Sequence, residues 1–176
     1  MERSLSITLL ALLPLFGLAK TREVRPNGPL RSIRQAIVQS APGDTVMVYA
    51  GVYLEKDLLI DKPLFLRGVD HPILDGEGKY EIVSIKSDNV TIEGFSLRHS
   101  GYSGWNDIAA IRLYAVKNVQ VLNNTLEDTF FGVYCQNTDN CRVEDNTLSS
   151  RADNDIESGN GIHCWHCNRM QIIGNS

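Results

Sequence analysis

Five consecutive residues carry the densest chemistry in the chain: His163, Cys164, Trp165, His166 and Cys167. Thiolates and imidazoles suit a soft ion such as Cu(I), so the segment is a candidate copper site. In a strand, however, alternate side chains leave on opposite faces, and Cys164 then points away from His163. His166 and Cys167 fall in the turn that follows and can pair as ligands, with His163 as a third. The candidate metal set is therefore His163, His166 and Cys167. Cys164 is expected to stack on Cys135 in the interior, where Cys behaves as a small hydrophobe, and Cys141 is expected to do likewise. A Cys135–Cys164 disulfide is conceivable at the spacing of neighbouring strands. A Cys164–Cys167 redox pair is less expected, because C-x-x-C chemistry normally draws on a helix N-terminus.

The elements that must position these residues show themselves as a repeat. N-V-T-I-E-G-F-S-L begins at Asn89, N-V-Q-V-L-N-N-T-L at Asn118, N-C-R-V-E-D-N-T-L at Asn140 and R-M-Q-I-I-G-N-S at Arg169, in steps of 29, 22 and 29 residues. A second motif precedes the later copies: I-R-L-Y-A from Ile111, V-Y-C-Q-N from Val133 and I-H-C-W-H from Ile162. Short segments alternating at period two are half-buried strands. A unit of about 22 residues without helical periodicity predicts an all-β solenoid, a single-stranded parallel β-helix, with clear repeats from about residue 81. The leucine-rich repeat, the competing solution, needs an L-x-x-L-x-L-x-x-N pattern that is absent.

Stacking the copies predicts inward ladders. Val90, Val119, Cys141 and Met170 form one, Ile92, Val121, Val143 and Ile172 the next, and Leu97, Leu126 and Leu148 a third. Asn124, Asn146 and Asn175 form a polar ladder, with Phe95 in the same place one rung earlier. Near the start, Leu30, Ile33, Ile37 and Ala41 share a helical face closed by Pro42-Gly43. A capping helix at about 29–41 would cover the open end of the first rung.

The alternates of the inward residues point out. Arg112, Tyr134 and His163 form one outward column, and Tyr114, Gln136 and Trp165 the column beside it. Extra residues enter at one corner on two rungs, in segments 98–110 and 149–161. The first brings His99, Tyr102, Trp105 and Asp107; the second brings Arg151, Asp153, Asp155 and Glu157. Insertions at one corner of a solenoid tend to build its binding side. The candidate binding face is Arg112, Tyr114, Tyr134, Gln136, Trp165, His99 and Trp105. The plain alternative is variation in loop length with ordinary surface residues.

Composition narrows the function. The 176 residues carry 17 Lys plus Arg against 21 Asp plus Glu, a formal net charge of -4, which argues against nucleic acid as a partner. No P-loop or G-x-G-x-x-G motif occurs. Residues 7–19 are an uncharged apolar run, too short to span a bilayer, with Gly17-Leu18-Ala19 as a cleavage site. Residues 1–19 are thus expected to be a secretory signal peptide, leaving 20–176 outside the cytoplasm with no transmembrane segment. No catalytic residue is expected: the outward columns contain no carboxylate, whereas sugar hydrolysis wants two. Asp75 reads as a turn residue. Arg, His and Tyr together could still support β-elimination, so a polysaccharide lyase, hydrolase or epimerase is the alternative.

G-D-T-V-M-V-Y-A-G-V-Y-L-E (43–55), I-D-K-P-L-F-L-R-G (60–68) and I-L-D-G-E-G (73–78) resemble the opening of right-handed parallel β-helix proteins of the carbohydrate-binding and sugar-hydrolase group. V-T-I-E-G-F-S-L-R-H-S-G (90–101), N-N-T-L-E-D-T-F-F-G-V-Y (123–134) and E-S-G-N-G-I-H-C-W (157–165) more narrowly resemble the NosD family. The resemblance covers about residues 30–176 and implies a right-handed β-helix and a non-enzymatic, periplasmic role. It further implies copper binding and assistance, beside an ABC-type transporter, in assembling the copper–sulfide centre of nitrous oxide reductase. Because members of that family are longer, the chain is expected to be their N-terminal part, with the last coil uncapped at Ser176.

Overall fold

The computed structural model describes residues 18–103, 105–150 and 159–176. The expected leader lies almost wholly outside these residues. Among the described residues, every element apart from one short helix is a strand, and every strand pairing is parallel. After two strands of the first sheet joined by the helix, the chain visits three sheets in rotation, which makes a β-solenoid.

The first sheet stacks Thr21–Val24, Thr45–Tyr49, Leu64–Val69, Val90–Glu93, Gln120–Leu122, Arg142–Glu144 and Gln171–Ile173. The second stacks Val52–Tyr53, Ile73–Asp75, Ser96–Arg98, Thr125–Thr129 and Thr147–Ser150. The third stacks Leu58–Ile60, Val83–Ile85, Ala109–Tyr114, Phe131–Gln136 and Ile162–Trp165.

Register follows the predicted ladders. Val46, Leu66, Ile92, Val121, Val143 and Ile172 align down the first sheet. Tyr53, Leu74, Leu97, Leu126 and Leu148 align down the second, and Ile60, Ile85, Leu113, Cys135 and Cys164 down the third. From Val46 to Val143 these positions are buried and form one continuous core. The last strand of each sheet is more open, and Ile172 is half-exposed.

Two asparagine ladders hold the corners. The interior one satisfies backbone that the turn would otherwise bury unpaired. The amides of Phe95, Asn124 and Asn146 donate to the side-chain oxygens of Asn124, Asn146 and Asn175 at 3.0, 2.9 and 3.0 Å. Each Asn side chain also donates inward, to Ile92, Val121 and Val143 carbonyls in turn. The outer ladder runs from Asn140 to Asn118 to Asn89, with side-chain bonds of 2.7 and 3.0 Å. These three residues have φ of 53°, 55° and 57°, the left-handed region that Asn tolerates well. At the Gly68–Gly94 corner successive rungs touch backbone to backbone: a Cβ on Gly68 would sit 2.3 Å from the Gly94 oxygen.

The helix spans Ile33–Gln39 and buries Ile33, Ala36 and Ile37 against the first rung. It is shorter than 29–41, because Ser32 caps its start and Pro42 disfavours helical backbone at the residue before it. Glu55 reaches up from the next rung and accepts from the Ile33 and Arg34 amides at 2.6 and 2.9 Å. That tie fastens the helix across the end of the stack.

A candidate binding face on the third sheet

Strand register places Arg112, Tyr134 and His163 in one outward column and Tyr114, Gln136 and Trp165 in the next. The Arg112 guanidinium is wedged between two rings, 4.6 Å from the centroids of both Tyr114 and Tyr134. It also donates to Gln136 Oε1 at 2.9 Å and to the Asp107 carbonyl at 2.6 Å. Below it the Tyr134 ring stacks on His163, with centroids 4.7 Å apart and planes at 27°. Asn160 Nδ2 holds His163 Nδ1 at 3.0 Å. Edge-to-face contacts then carry the aromatic surface sideways, from Tyr134 to Phe131, Phe130 and Tyr102. Burial, and after it the neighbouring Asp107 carboxylate, pushes the Tyr134 hydroxyl above the ordinary tyrosine value.

A carboxylate absent from the predicted columns joins them. Glu81 precedes the Val83–Ile85 strand and accepts from Tyr114 Oη at 3.0 Å and from the Ser84 hydroxyl. Its other oxygen lies 3.9 Å from Arg112. Burial pushes Glu81 above the usual carboxylate range, against the pull of Ser84, Tyr114 and Arg112. Burial, with Glu81 beside it, takes Tyr114 up to about 12. The expectation of columns without a carboxylate is therefore corrected. Glu81 escapes the period-two pattern because it approaches from a turn. The available signal was Tyr80-Glu81 just ahead of I-V-S-I-K (82–86), an earlier and weaker version of the strand motif that recurs from Ile111, Val133 and Ile162.

Five of the seven face residues come together; His99 and Trp105 do not. His99 stands at the second sheet, its Nδ1 3.0 Å from Asp75 and its Nε2 3.9 Å from Asp128. Asp75 serves the turn by accepting from the Glu77 amide at 2.9 Å, and it also accepts from Arg98 Nε at 2.9 Å. Burial pushes the Asp75 carboxyl up, but the bonds from Glu77, Arg98 and His99 outweigh it and hold it below its ordinary value. Trp105 is almost fully exposed and touches none of the columns. Arg151, Asp153, Asp155 and Glu157 lie outside the described residues.

The three candidate metal ligands diverge. His163 belongs to the outer column, and His166 sits in the following turn at φ 54° with its ring against Trp165. Cys167 turns inward, where its sulfur accepts from the Thr138 hydroxyl at 3.1 Å and lies 3.3 Å from the Cys135 carbonyl. Among the described residues no group of three His, Cys, Asp or Glu is placed to hold a metal ion. All four cysteines are free thiols, and Cys164, although in register with buried Cys135, is exposed on its edge strand. A depression of about 200 Å³ lies elsewhere, on the first sheet, lined by Asn118, Gln120, Asn140, Cys141, Arg142 and Gln171. The third-sheet face is thus a flat, prearranged surface of rings around a fixed cation.

No family model matches the sequence. The structure aligns with pectin methylesterase in complex with a hexasaccharide at a TM-score of 0.44 and 12% identity, covering 89% of this chain and 66% of that one. In sequence the chain is 34% identical over 172 residues to the "Probable ABC transporter binding protein NosD" of Pseudomonas aeruginosa, covering 95% of this chain and 37% of that protein. It is 27% identical over 128 residues to the protein of the same name in Stutzerimonas stutzeri, covering 72% and 29%. The chain therefore spans about a third of the length of the curated relatives it matches. Unbroken parallel rungs and this likeness along nearly its whole length make the chain a NosD-like parallel β-helix.

Proposed function

We propose that the chain is part of a periplasmic, non-enzymatic accessory protein of the nitrous oxide reductase system, working beside an ABC-type transporter to assemble the reductase's copper–sulfide centre. The observation that carries this reading is the similarity over 95% of the chain to a relative whose name ties it to ABC transport. The third-sheet face is the part assigned to a protein partner. Tyr and Arg are the side chains that most often anchor protein interfaces, and here they are held before any partner arrives. Cu(I) ligation by His163, His166 and Cys167 asks more, because the turn after Trp165 must reorganise to bring them together.

Co-purification with the transporter subunits and with the reductase apoprotein tests the role. Capture that is lost in an Arg112→Ala/Tyr134→Ala variant of unchanged circular dichroism supports the face; capture that persists moves the interface elsewhere. Copper titration of a His163→Ala/His166→Ala/Cys167→Ser variant tests the ligand set, and unchanged stoichiometry removes it. Export is checked by N-terminal sequencing of the mature chain, expected to begin at Lys20. One observation favours a second reading: Glu81 beside Tyr114 and Arg112 is an acid–base constellation. Depolymerisation of a uronate polymer, abolished by Glu81→Gln, would replace the accessory role with a lyase.

A further inference from the structure

Charge is spread unevenly along the solenoid. Residues 18–40, which hold the first strand, its turn and the capping helix, carry five cations: Lys20, Arg22, Arg25, Arg31 and Arg34. They carry one carboxylate, Glu23. Residues 41–176 carry 11 Lys plus Arg against 19 Asp plus Glu. The capped end is therefore basic on an otherwise acidic body.

The contacts at that end leave most of the charge unspent. Arg25 is committed: it pairs with Glu23 at 3.1 Å and lies over the Tyr49 ring. The other three guanidiniums are held by backbone carbonyls, which fix a cation without cancelling it. Arg22 donates to the Gln39 carbonyl at the end of the helix, and its buried Nε has no acceptor among the described residues. Arg31 Nε donates to the Gly28 carbonyl at 3.1 Å, and Arg34 reaches the Lys56 and Asp57 carbonyls. A guanidinium has five donors, so one or two carbonyls leave others for an incoming carboxylate. Two further carboxylates offset part of the charge from beneath, but backbone amides engage them. Asp44 accepts from the Lys20 and Ala41 amides at 2.8 and 2.9 Å, and Glu55 from the Ile33 and Arg34 amides. Arg34 and Val38, four positions apart, share the outer face of the helix, where Val38 is 70% exposed.

We propose that the outer face of the capping helix docks an acidic segment of a protein partner, whose carboxylates pair with Arg31 and Arg34. Arg22 extends the same field to the far end of the helix. Clamping favours this occupant. A guanidinium already held in place loses little side-chain freedom when a carboxylate arrives, whereas attraction to an anionic bilayer needs only loose charge. An exposed valine beside the cations also suits a protein surface, with its apolar centre and charged rim. Screening over about 10 Å at 0.1 M salt, roughly two rungs, keeps the acidic coils further along from repelling a ligand confined to the end. The docking point is separate from the third-sheet face, whose Arg112 stands on the third strand of that sheet.

The test is fluorescence anisotropy of labelled hexaglutamate titrated with the chain, at about 50 and about 500 mM salt. Binding is expected at the lower salt and is expected to weaken at the higher. Arg31→Gln/Arg34→Gln, with folding verified by circular dichroism, is expected to weaken it about tenfold. Val38→Asp puts a carboxylate beside Arg34 while leaving the clamps in place. Because the position is exposed, the loss expected there cannot come from a folding failure. Arg31→Lys/Arg34→Lys keeps the charge without the planar fork and is expected to recover only part of the binding. Lys79→Gln/Lys117→Gln makes the same change in net charge at exposed positions on later coils and is expected to leave binding unchanged. No binding by the parent chain, full recovery with lysine, or an equal loss with the Lys79/Lys117 pair overturns the proposal. So does a chain that leaves hexaglutamate unbound but holds phosphatidylglycerol vesicles, or a second copy of itself, through Arg31 and Arg34.

Discussion

Replacing Asn146 with alanine tests the reading of the interior ladder as the device that makes these corners possible. Asn146 is 1% exposed. Its Oδ1 accepts from the Asn124 amide at 2.9 Å and from Asn124 Nδ2 at 3.1 Å. Its Nδ2 donates to the Val121 carbonyl at 3.0 Å, the Glu144 carbonyl at 3.0 Å and Asn175 Oδ1 at 2.9 Å. Asn146→Ala orphans the Asn124 N–H and strips an inward donor from Val121. A buried polar group left unpaired costs about 1–3 kcal/mol, so the two together amount to about 3 kcal/mol. For a chain of this size that is a fall in Tm of roughly 10 °C. Asn140→Gly is the control: the same residue type, six positions away, on the exposed ladder, where glycine keeps the left-handed backbone at φ 53° and the loss is expected to stay within about 0.5 kcal/mol. Thermal and urea denaturation followed by circular dichroism and by Trp165 fluorescence measures both. Equal losses for the two variants, or none for Asn146→Ala, would refute the argument that burial is what gives the inner ladder its value.

Glu81→Gln addresses the buried carboxyl. The folded chain holds the Glu81 proton more tightly than the unfolded chain, so its contribution to stability declines as pH rises from the ordinary carboxyl value through the elevated folded one. The variant is expected to lose that slope in denaturation curves taken across the acid range; an unchanged slope contradicts it. Asp75 has the opposite sign. Its folded value lies below 3.8, so its stabilisation is complete above that value and is lost as pH falls through the folded one. Asp75→Asn is expected to cost about 1–3 kcal/mol at neutral pH and to converge with the parent in acid, as urea titrations at the two pH values will show. Arg112→Lys cannot bridge Gln136 and the Asp107 carbonyl while lying between two rings. A loss of about 1–2 kcal/mol in urea denaturation is expected, and none would mean the wedge carries no energy.

Much of this was legible because a solenoid writes each stacking column as the same offset in successive repeats. Val121, Val143 and Ile172 could be aligned as letters before they were aligned as strands, and so could the outward pair Tyr134 and His163. What alternation cannot reach is the turn. Glu81 enters the face from outside the strand, and its bond to Tyr114 crosses 33 positions. His99 left the face because it stands at φ 54°, which swings it toward Asp75 on the preceding rung. Cys167 was placed in a turn as expected, but nothing in the letters told that the turn aims its sulfur inward, toward Cys135, and not outward toward His163.

The rotation among three sheets has a consequence for how the molecule comes into being. Every described strand pairing joins residues between 20 and 29 positions apart, and, after the first pair that the helix connects, no strand pairs with its immediate successor. No hairpin can therefore serve as a seed, and closing each coil costs the entropy of a whole loop before one ladder bond is returned. Once the capped first rung exists, each later coil needs only its predecessor as a template. Growth is then one-directional, like winding thread on a spool from the fixed end. A chain leaving a ribosome or a translocation pore N-terminus first presents its coils in the order in which they can be wound.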